Sequence, residues 1–134
     1  MQPIETTAEN TEEKENQTMK IKINDTEYNV ILQKNKTVDD LLKMLPLNLE
    51  MQRYAGHEYY ASLEKTPYND SDYGTSYIKA NGVYYWDGWN AFVINYEDSD
   101  ITPYKPVYIG NIDGDISQLL KTTDNVIDVT ITNE

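Results

Sequence analysis

The chain has 134 residues, the length of a single domain, with 23 acidic and 11 basic residues and a net charge of −12. This balance excludes the basic surface that nucleic acids and anionic membranes require, and the lack of cysteine excludes disulfides and thiol nucleophiles. No apolar run is long enough to span a membrane, so we expect no direct membrane insertion. We also expect a monomer. The 12 tyrosines favour a strand-rich domain or a binding surface, because each buries a large ring and keeps a polar tip.

The first segment, residues 1–18, has five acidic residues and one lysine, a net charge of −4, among threonine, asparagine and glutamine. Such a segment buries too little apolar surface to offset the entropy lost on ordering, so we expect a disordered acidic tail or spacer. We expect it to connect the domain, residues 19–134, to an export signal or lipid anchor upstream of Met1. The domain would then be extracytoplasmic, tethered or secreted. A linker to another domain and a cytoplasmic location are the alternatives.

Alternating apolar and polar residues predict two antiparallel strands over residues 19–33, joined by a turn at Asn24 and Asp25. Each strand would bury one face. Residues 47–51 alternate in the same way and predict a third strand. The stretch that follows is aromatic but less regular, and residues 64–76 have the composition of a loop.

A short helix of about two turns is predicted over residues 37–45. Thr37 would be its N-cap, because Asp39 and Asp40 follow in the first turn, where carboxylates favour the positive end of the helix dipole. Pro46 would end the helix. Since a helix of this length is unstable alone, it must pack on the sheet.

The strongest signal is a hairpin over residues 78–96, which contains both tryptophans and the only phenylalanine. Asp87 and Gly88 predict a tight turn with glycine at positive φ, or a four-residue loop that extends to Asn90. This stretch should therefore carry much of the core, and Phe92 is expected to be buried.

Strand alternation places Tyr84 and Trp86 on one face of the hairpin and Val83 and Tyr85 on the other. One of these sets would lie in the core. The other would form an aromatic strip suited to an extended or proline-rich peptide. Trp89, in the loop, is the tryptophan that we expect to be exposed.

The C-terminal third predicts a short strand over residues 107–112 broken at Gly110, a helical turn near Leu119, and a final strand over residues 127–131. Many short strands, one or two short helices and no β-α-β alternation predict a mainly β fold. A compact antiparallel barrel or sandwich fits this pattern.

Several motifs recur in one order along residues 19–132: MKIKIN from Met19, Met-Leu-Pro closing the helix, Glu58 before two tyrosines, and YKPVYIGNI ending at Ile112. In this respect the chain resembles the bacterial cyclophilin-like proteins, small uncharacterised β-barrels found as exported domains or beside flavodoxin domains. The resemblance implies a closed barrel of about eight strands with helices capping its openings, and it brings no established activity. The chain departs from the family at Asn81 and Gly82, where Gly-Asp is usual.

Cyclophilins proper isomerise prolyl bonds with an arginine in a Phe-His-Arg context, which this chain lacks. Arg53 is its only arginine and lies between Gln52 and Tyr54. It could hold a carboxylate or polarise a carbonyl. Alternatively, its stem packs on an aromatic ring and its head pairs with Glu50 or Glu58.

Two further polar residues lie close to Arg53. Glu58, beside aromatic residues, could have a raised pKa and act as an acid or base, or it could pair with Arg53 or cap a turn. His57 is the only histidine and has no recognisable second ligand, and the acidic turns do not match a calcium loop, so no metal is expected. No catalytic residue is identified.

We therefore expect a non-enzymatic domain that binds a peptide or small ligand in an aromatic-lined cleft, without a cofactor. The candidate ligand-binding residues are Arg53, Tyr54, Glu58, Tyr60, Trp86 and Trp89. The alternatives are a diverged peptidyl-prolyl isomerase that uses Arg53, and an accessory domain for a flavodoxin-type redox partner.

Overall fold

Eight strands close into an antiparallel barrel in the computed structural model, which describes residues 17–133. The barrel strands are β1 (Thr18–Ile23), β2 (Thr26–Leu32), β3 (Leu47–Tyr54), β4 (Glu58–Ser62), β6 (Gly82–Trp86), β7 (Ala91–Asn95), β9 (Val107–Asp113) and β10 (Val126–Thr132). Their order around the barrel is β1-β10-β3-β4-β7-β6-β9-β2. The mainly β fold and the closed barrel predicted from the sequence are both confirmed.

The remaining elements lie outside the barrel wall. Two short strands, β5 (Tyr77–Ile78) and β8 (Ser99–Asp100), pair as a separate ribbon. The helices are α1 (Lys36–Met44) and α2 (Ser117–Thr122), and single 3₁₀ turns lie at Ser71–Tyr73 and Asp87–Trp89. None of the helices in residues 17–133 has the length and apolar character needed to cross a membrane.

The barrel interior is filled by alternate residues of the strands, as a period of two requires. In β1, for example, Met19, Ile21 and Ile23 are buried while the lysines between them face outward. Val83, Tyr85, Phe92 and Ile94 from β6 and β7 belong to the same core, so the predicted burial of Phe92 is confirmed.

The start of the barrel lies slightly earlier than expected. Thr18 already pairs with Ile31 in β2, and the Gln17 carbonyl accepts a hydrogen bond of 2.8 Å from the Leu32 amide. These two residues therefore belong to the domain rather than to the predicted tail. The other residues of that tail lie outside the described part of the chain.

The N-cap of α1 is Asn35, and the prediction that Thr37 caps this helix was wrong. The Asn35 side-chain oxygen accepts a hydrogen bond of 2.9 Å from the Val38 amide. Thr37 is the second residue of the helix, and its hydroxyl donates to the Tyr68 carbonyl and accepts from the Asp70 amide at 2.6 and 2.9 Å. Thr37 therefore ties the loop that contains Tyr68 and Asp70 to the start of α1.

The hairpin loop has four residues, and its positive φ falls on Asn90 (49°) rather than on Gly88. The four-residue alternative is therefore confirmed, and the tight turn with glycine at positive φ was wrong. Gly88 is required for another reason, because a Cβ at this position would lie 2.7 Å from the Trp86 indole nitrogen.

The strand β9 continues through Gly110 and is not broken there. Val83 of β6 faces Gly110, whereas the next residue, Tyr84, faces Tyr108, so Ile109 is the extra residue of a β-bulge. A Cβ on Gly110 would lie 2.5 Å from a carbonyl oxygen of β2. The glycine permits this close approach between neighbouring strands.

The outer face of β6 and β7 is covered, which is unusual for a small barrel exposed to water. A second apolar cluster of Ile78, Tyr84, Ala91 and Val93 lies there, with Ile101 packed against it. Ile101 belongs to residues 97–106, which we call the strap. The strap is tied to the domain by bonds such as that from the Ile101 amide to the Ser76 carbonyl at 2.9 Å.

Candidate functional site

A cavity of about 470 Å³ lies between the strap and the outer face of the barrel. Its walls come from β3, β4, β6, β7, the hairpin loop and the strap, and most of them are apolar. They are formed by five aromatic residues and three aliphatic ones: Tyr54, Tyr84, Trp86, Trp89, Tyr104, Ile78, Val93 and Ile101. We call this space the outer cavity. Its size is that of a small-molecule site.

The register of the strands explains which predicted residues meet at the outer cavity. Tyr59 and Ala61 of β4 face the core, so the residues that alternate with them, Glu58 and Tyr60, face outward. Tyr54 of β3 lies directly opposite Glu58 in the ladder. Strand pairing therefore brings a tyrosine and a carboxyl group together at one edge of the cavity.

Among residues 17–133, Glu58 is the only carboxylic acid side chain that lines the outer cavity. It is 9 % exposed, and burial raises its pKa from 4.5 to about 7. The described side-chain nitrogen that lies beside it is His57 Nδ1, 3.5 Å from a carboxyl oxygen. This distance is too long for a strong hydrogen bond. Both protonation states of the Glu58 carboxyl are therefore populated near neutral pH.

His57 is oriented by a different residue. Its Nδ1 lies 3.0 Å from the side-chain oxygen of Asn95, which is fully buried. The Asn95 amide nitrogen donates to the Glu97 carbonyl at 2.9 Å, so the Asn95 oxygen acts as the acceptor and His57 Nδ1 as the donor. The ring proton nearest to Glu58 is therefore engaged with Asn95. Among residues 17–133, no cluster of three potential metal ligands is present.

Two groups of aromatic rings border the outer cavity. Trp89 contacts Tyr54 and Tyr60, with ring centroids 5.0 and 4.9 Å apart, and the Tyr54 and Trp89 planes are inclined at 84°. On the strap side, Trp86 and Tyr104 meet at 5.4 Å and 81°. Tyr54, Trp89 and Tyr104 remain 42–57 % exposed, which is high for side chains of this size. Aromatic faces are therefore available to a ligand.

Tyr60 lies beside the outer cavity and not inside it. Its ring supports Trp89, and its hydroxyl accepts a hydrogen bond of 2.7 Å from Gln52. It lines a second depression, of about 650 Å³, on the outer face of β3 and β4. Outward polar residues of β3 such as Asn48 and Glu50 form much of that surface. This larger depression is therefore the weaker candidate for an apolar ligand.

Arg53 is not brought together with the other candidates. Its guanidinium donates to the Leu120 and Thr123 carbonyls at 3.0 and 2.7 Å and to the Tyr96 hydroxyl at 2.9 Å. It also lies over the Tyr59 ring, 4.9 Å from the centroid. The pairing with Glu50 or Glu58 that the sequence suggested is not seen among the described residues. Arg53 instead holds the C-terminal end of α2 against the barrel.

The strap contributes site residues that the sequence analysis did not identify, namely Ile101, Thr102, Tyr104 and Pro106. This segment has the composition of a loop, and no local pattern indicates what it covers. One signal was present in the sequence of β7, where four consecutive apolar residues, Ala91 to Ile94, leave no polar face; all five residues of this strand are buried. A strand of a small barrel that is apolar on both faces must be covered on its outer side.

The comparisons with known proteins concern the fold. The sequence profile of the Cyclophilin-like family matches residues 21–132. The solution structure of the hypothetical protein AF2241 from Archaeoglobus fulgidus is similar, with a TM-score of 0.63 and 18 % sequence identity. The match covers 90 % of this chain and 96 % of that one. No curated protein matches the sequence.

Proposed function

Since the chain belongs to the cyclophilin-like family, we propose that it is a non-enzymatic binding domain that holds an apolar group of a peptide or small molecule in the outer cavity. The observation that supports this proposal is the composition of the walls. Five aromatic and three aliphatic side chains line a cavity of about 470 Å³ on the outside of the barrel.

Burial of an apolar group against these walls supplies the binding energy. Apolar area removed from water contributes about 25 cal/mol per Å², and aromatic contacts add to it. Glu58 and the His57–Asn95 pair are the polar groups at one edge that would orient the ligand. A few polar groups in an apolar cavity are the usual composition of a ligand site.

The isomerase alternative needs a donor that polarises the prolyl carbonyl beside an apolar pocket. Arg53 is the only arginine, its side chain lies on the opposite face of β3 from Tyr54, and its donors bind backbone carbonyls near α2. Binding without catalysis is therefore the better supported function. The redox-partner alternative rests on family context alone and stays a prediction.

A protease-coupled isomerisation assay on several X-Pro peptides tests the alternative. We expect no acceleration over the uncatalysed rate, whose barrier is about 18–20 kcal/mol. Acceleration that is lost in Arg53→Ala, while the variant stays folded, would favour the isomerase.

Tryptophan fluorescence tests the binding function directly, because both tryptophans of the chain line the outer cavity. The probe is a neutral capped phenylalanyl-proline dipeptide. We expect a saturable change in the emission of the wild-type protein. Calorimetry on Trp89→Ala, which lacks one of the two fluorophores, should show that this variant no longer binds the dipeptide. The matched control is Tyr77→Ala, which removes an aromatic residue that is 67 % exposed and does not line the cavity. Loss of binding in both variants, or in neither, would contradict the proposal.

A further inference from the structure

The chemical class of the ligand follows from which groups surround the outer cavity. We propose that its preferred occupant carries an alkylammonium group, held between aromatic faces and the Glu58 carboxylate. This inference rests on the proposed function and narrows it. Three features of the outer cavity support it: the rings, the carboxyl group and the absence of a lysine or arginine among the described residues that line it.

The rings provide faces that attract a cation. A cation within about 6 Å of a ring centroid is attracted by the negative face of the aromatic system, and tryptophan is the strongest partner. Both tryptophans and three tyrosines line the outer cavity, and the planes of two pairs, Tyr54 with Trp89 and Trp86 with Tyr104, are inclined at 84° and 81°. Perpendicular rings offer faces in more than one direction, which is the arrangement that encloses an ammonium group.

Glu58 provides the negative charge. It is 9 % exposed, and no described donor makes a hydrogen bond to its carboxyl group, because the nearest one, His57 Nδ1, is directed at Asn95. A buried carboxylate without a partner is costly, and an opposite charge removes that cost. An ammonium group in the cavity would satisfy this carboxylate, whereas an anionic ligand would meet both its charge and the negative ring faces.

None of the described residues brings a permanently charged cationic side chain to this cavity. Neither lysine nor arginine lines the outer cavity among the described residues, and Arg53 is held at α2. The net charge of −12 further favours cations near the surface. A neutral ligand that accepts a hydrogen bond from the protonated Glu58 carboxyl would use the carboxyl group but would not use the negative ring faces.

The experiment compares two small probes of the same shape on the full chain, choline and 3,3-dimethyl-1-butanol, which differ in the charge of the quaternary centre. Binding is measured by calorimetry in about 0.5 M sodium chloride, which screens non-specific attraction to the acidic surface. We expect choline to bind at least tenfold more tightly than the alcohol.

Variants locate the charge that is responsible. Glu58→Gln keeps the shape of the side chain, and we expect it to lower the affinity for choline at least tenfold and the affinity for the uncharged alcohol by much less. Glu64→Gln, an exposed carboxylate outside the cavity, is the matched control and should have no effect. Trp89→Phe should retain part of the affinity that Trp89→Ala loses.

The outcomes separate the inference from the function on which it rests. Equal binding of the two probes, tighter binding of the alcohol, or choline binding that survives in Glu58→Gln would overturn the alkylammonium inference and leave an apolar binding function in place. The same conclusion follows if only the neutral dipeptide binds. If none of the three probes binds, both proposals fail.

Discussion

At the scale of single residues, two neighbouring polar side chains of the β3–β4 hairpin have opposite roles. Arg53 faces the barrel end, where it makes four hydrogen bonds and lies over two tyrosine rings, whereas Glu58 faces the outer cavity without a strong hydrogen bond from the described residues. Adjacent residues of a strand face opposite sides, so Arg53 and Tyr54 cannot share one site. That rule, applied to the sequence, separates the arginine from the other candidates.

Glu58 should make stability depend on pH. Its pKa rises from 4.5 to about 7 on folding, because burial disfavours the charged form. The free energy of unfolding is therefore unaffected by this group below pH 4.5, and it falls as the pH rises through 7 and the buried carboxyl becomes charged. At pH 8 this loss is roughly 3 kcal/mol, from 1.36 kcal/mol per pKa unit. Glu58→Gln should therefore unfold at higher urea concentration than the wild type at pH 8, and at nearly the same concentration at pH 5.

Urea unfolding at the two pH values, with Glu64→Gln as the exposed control, checks this prediction. A Glu58→Gln variant that is less stable than the wild type at pH 8 would mean that the folded protein stabilises the charged carboxylate.

At the scale of elements, the strands were predictable where one face is exposed to water, or where a turn signal marks a hairpin, as it does between β6 and β7. β1, β2 and β10 alternate along their length and were identified from this pattern. β4 was missed, because Glu58 and Tyr60 lie under the aromatic residues and the strap, so the buried pattern is nearly continuous. The position of the strap depends on contacts between distant residues, such as Ser76 with Tyr104, that no local pattern contains.

The docking of α2 depends on Arg53. The last carbonyls of a helix lack partners within it, and here the guanidinium binds those of Leu120 and Thr123. Since hydrogen bonds to charged groups contribute about 1.5–3 kcal/mol, Arg53→Ala should lower the free energy of unfolding by roughly 2–4 kcal/mol. Ligand affinity at the outer cavity should not change.

The control for this variant is Lys121→Ala in the same helix. Lys121 makes an exposed ion pair with Glu97 at 3.8 Å, which should contribute less than about 1 kcal/mol. Chemical denaturation measures both variants. Equal effects of the two substitutions would show that the arginine does not hold the helix.

The hairpin of β6 and β7 should be equally necessary for the fold. Phe92 is the only phenylalanine of the chain, and it is 1 % exposed in the core. Phe92→Ala should cost about 3–5 kcal/mol, through lost burial and the cavity left behind. An unchanged denaturation midpoint would show that the neighbouring residues fill the space without loss.

At the scale of the whole molecule, the barrel carries its core inside and a second apolar cluster outside, under the strap. The fold class followed from the sequence because most of the strands alternate apolar and polar residues. The site followed only in part. Tyr54, Glu58, Trp86 and Trp89 meet at the outer cavity, Tyr60 adjoins it, and Arg53 lies elsewhere. Export through an upstream signal stays a prediction, and the genomic reading frame tests it.

The central claim is that ligands occupy the outer cavity, and amide chemical-shift mapping tests it most directly. The labelled full chain is titrated with the neutral capped dipeptide and with choline. We predict saturable shifts in the β3–β4 turn, the hairpin loop and the strap, together with the indole N–H signals of Trp86 and Trp89. Shifts confined to the larger depression beside Asn48 and Glu50, or no saturable shifts with either probe, would contradict the claim.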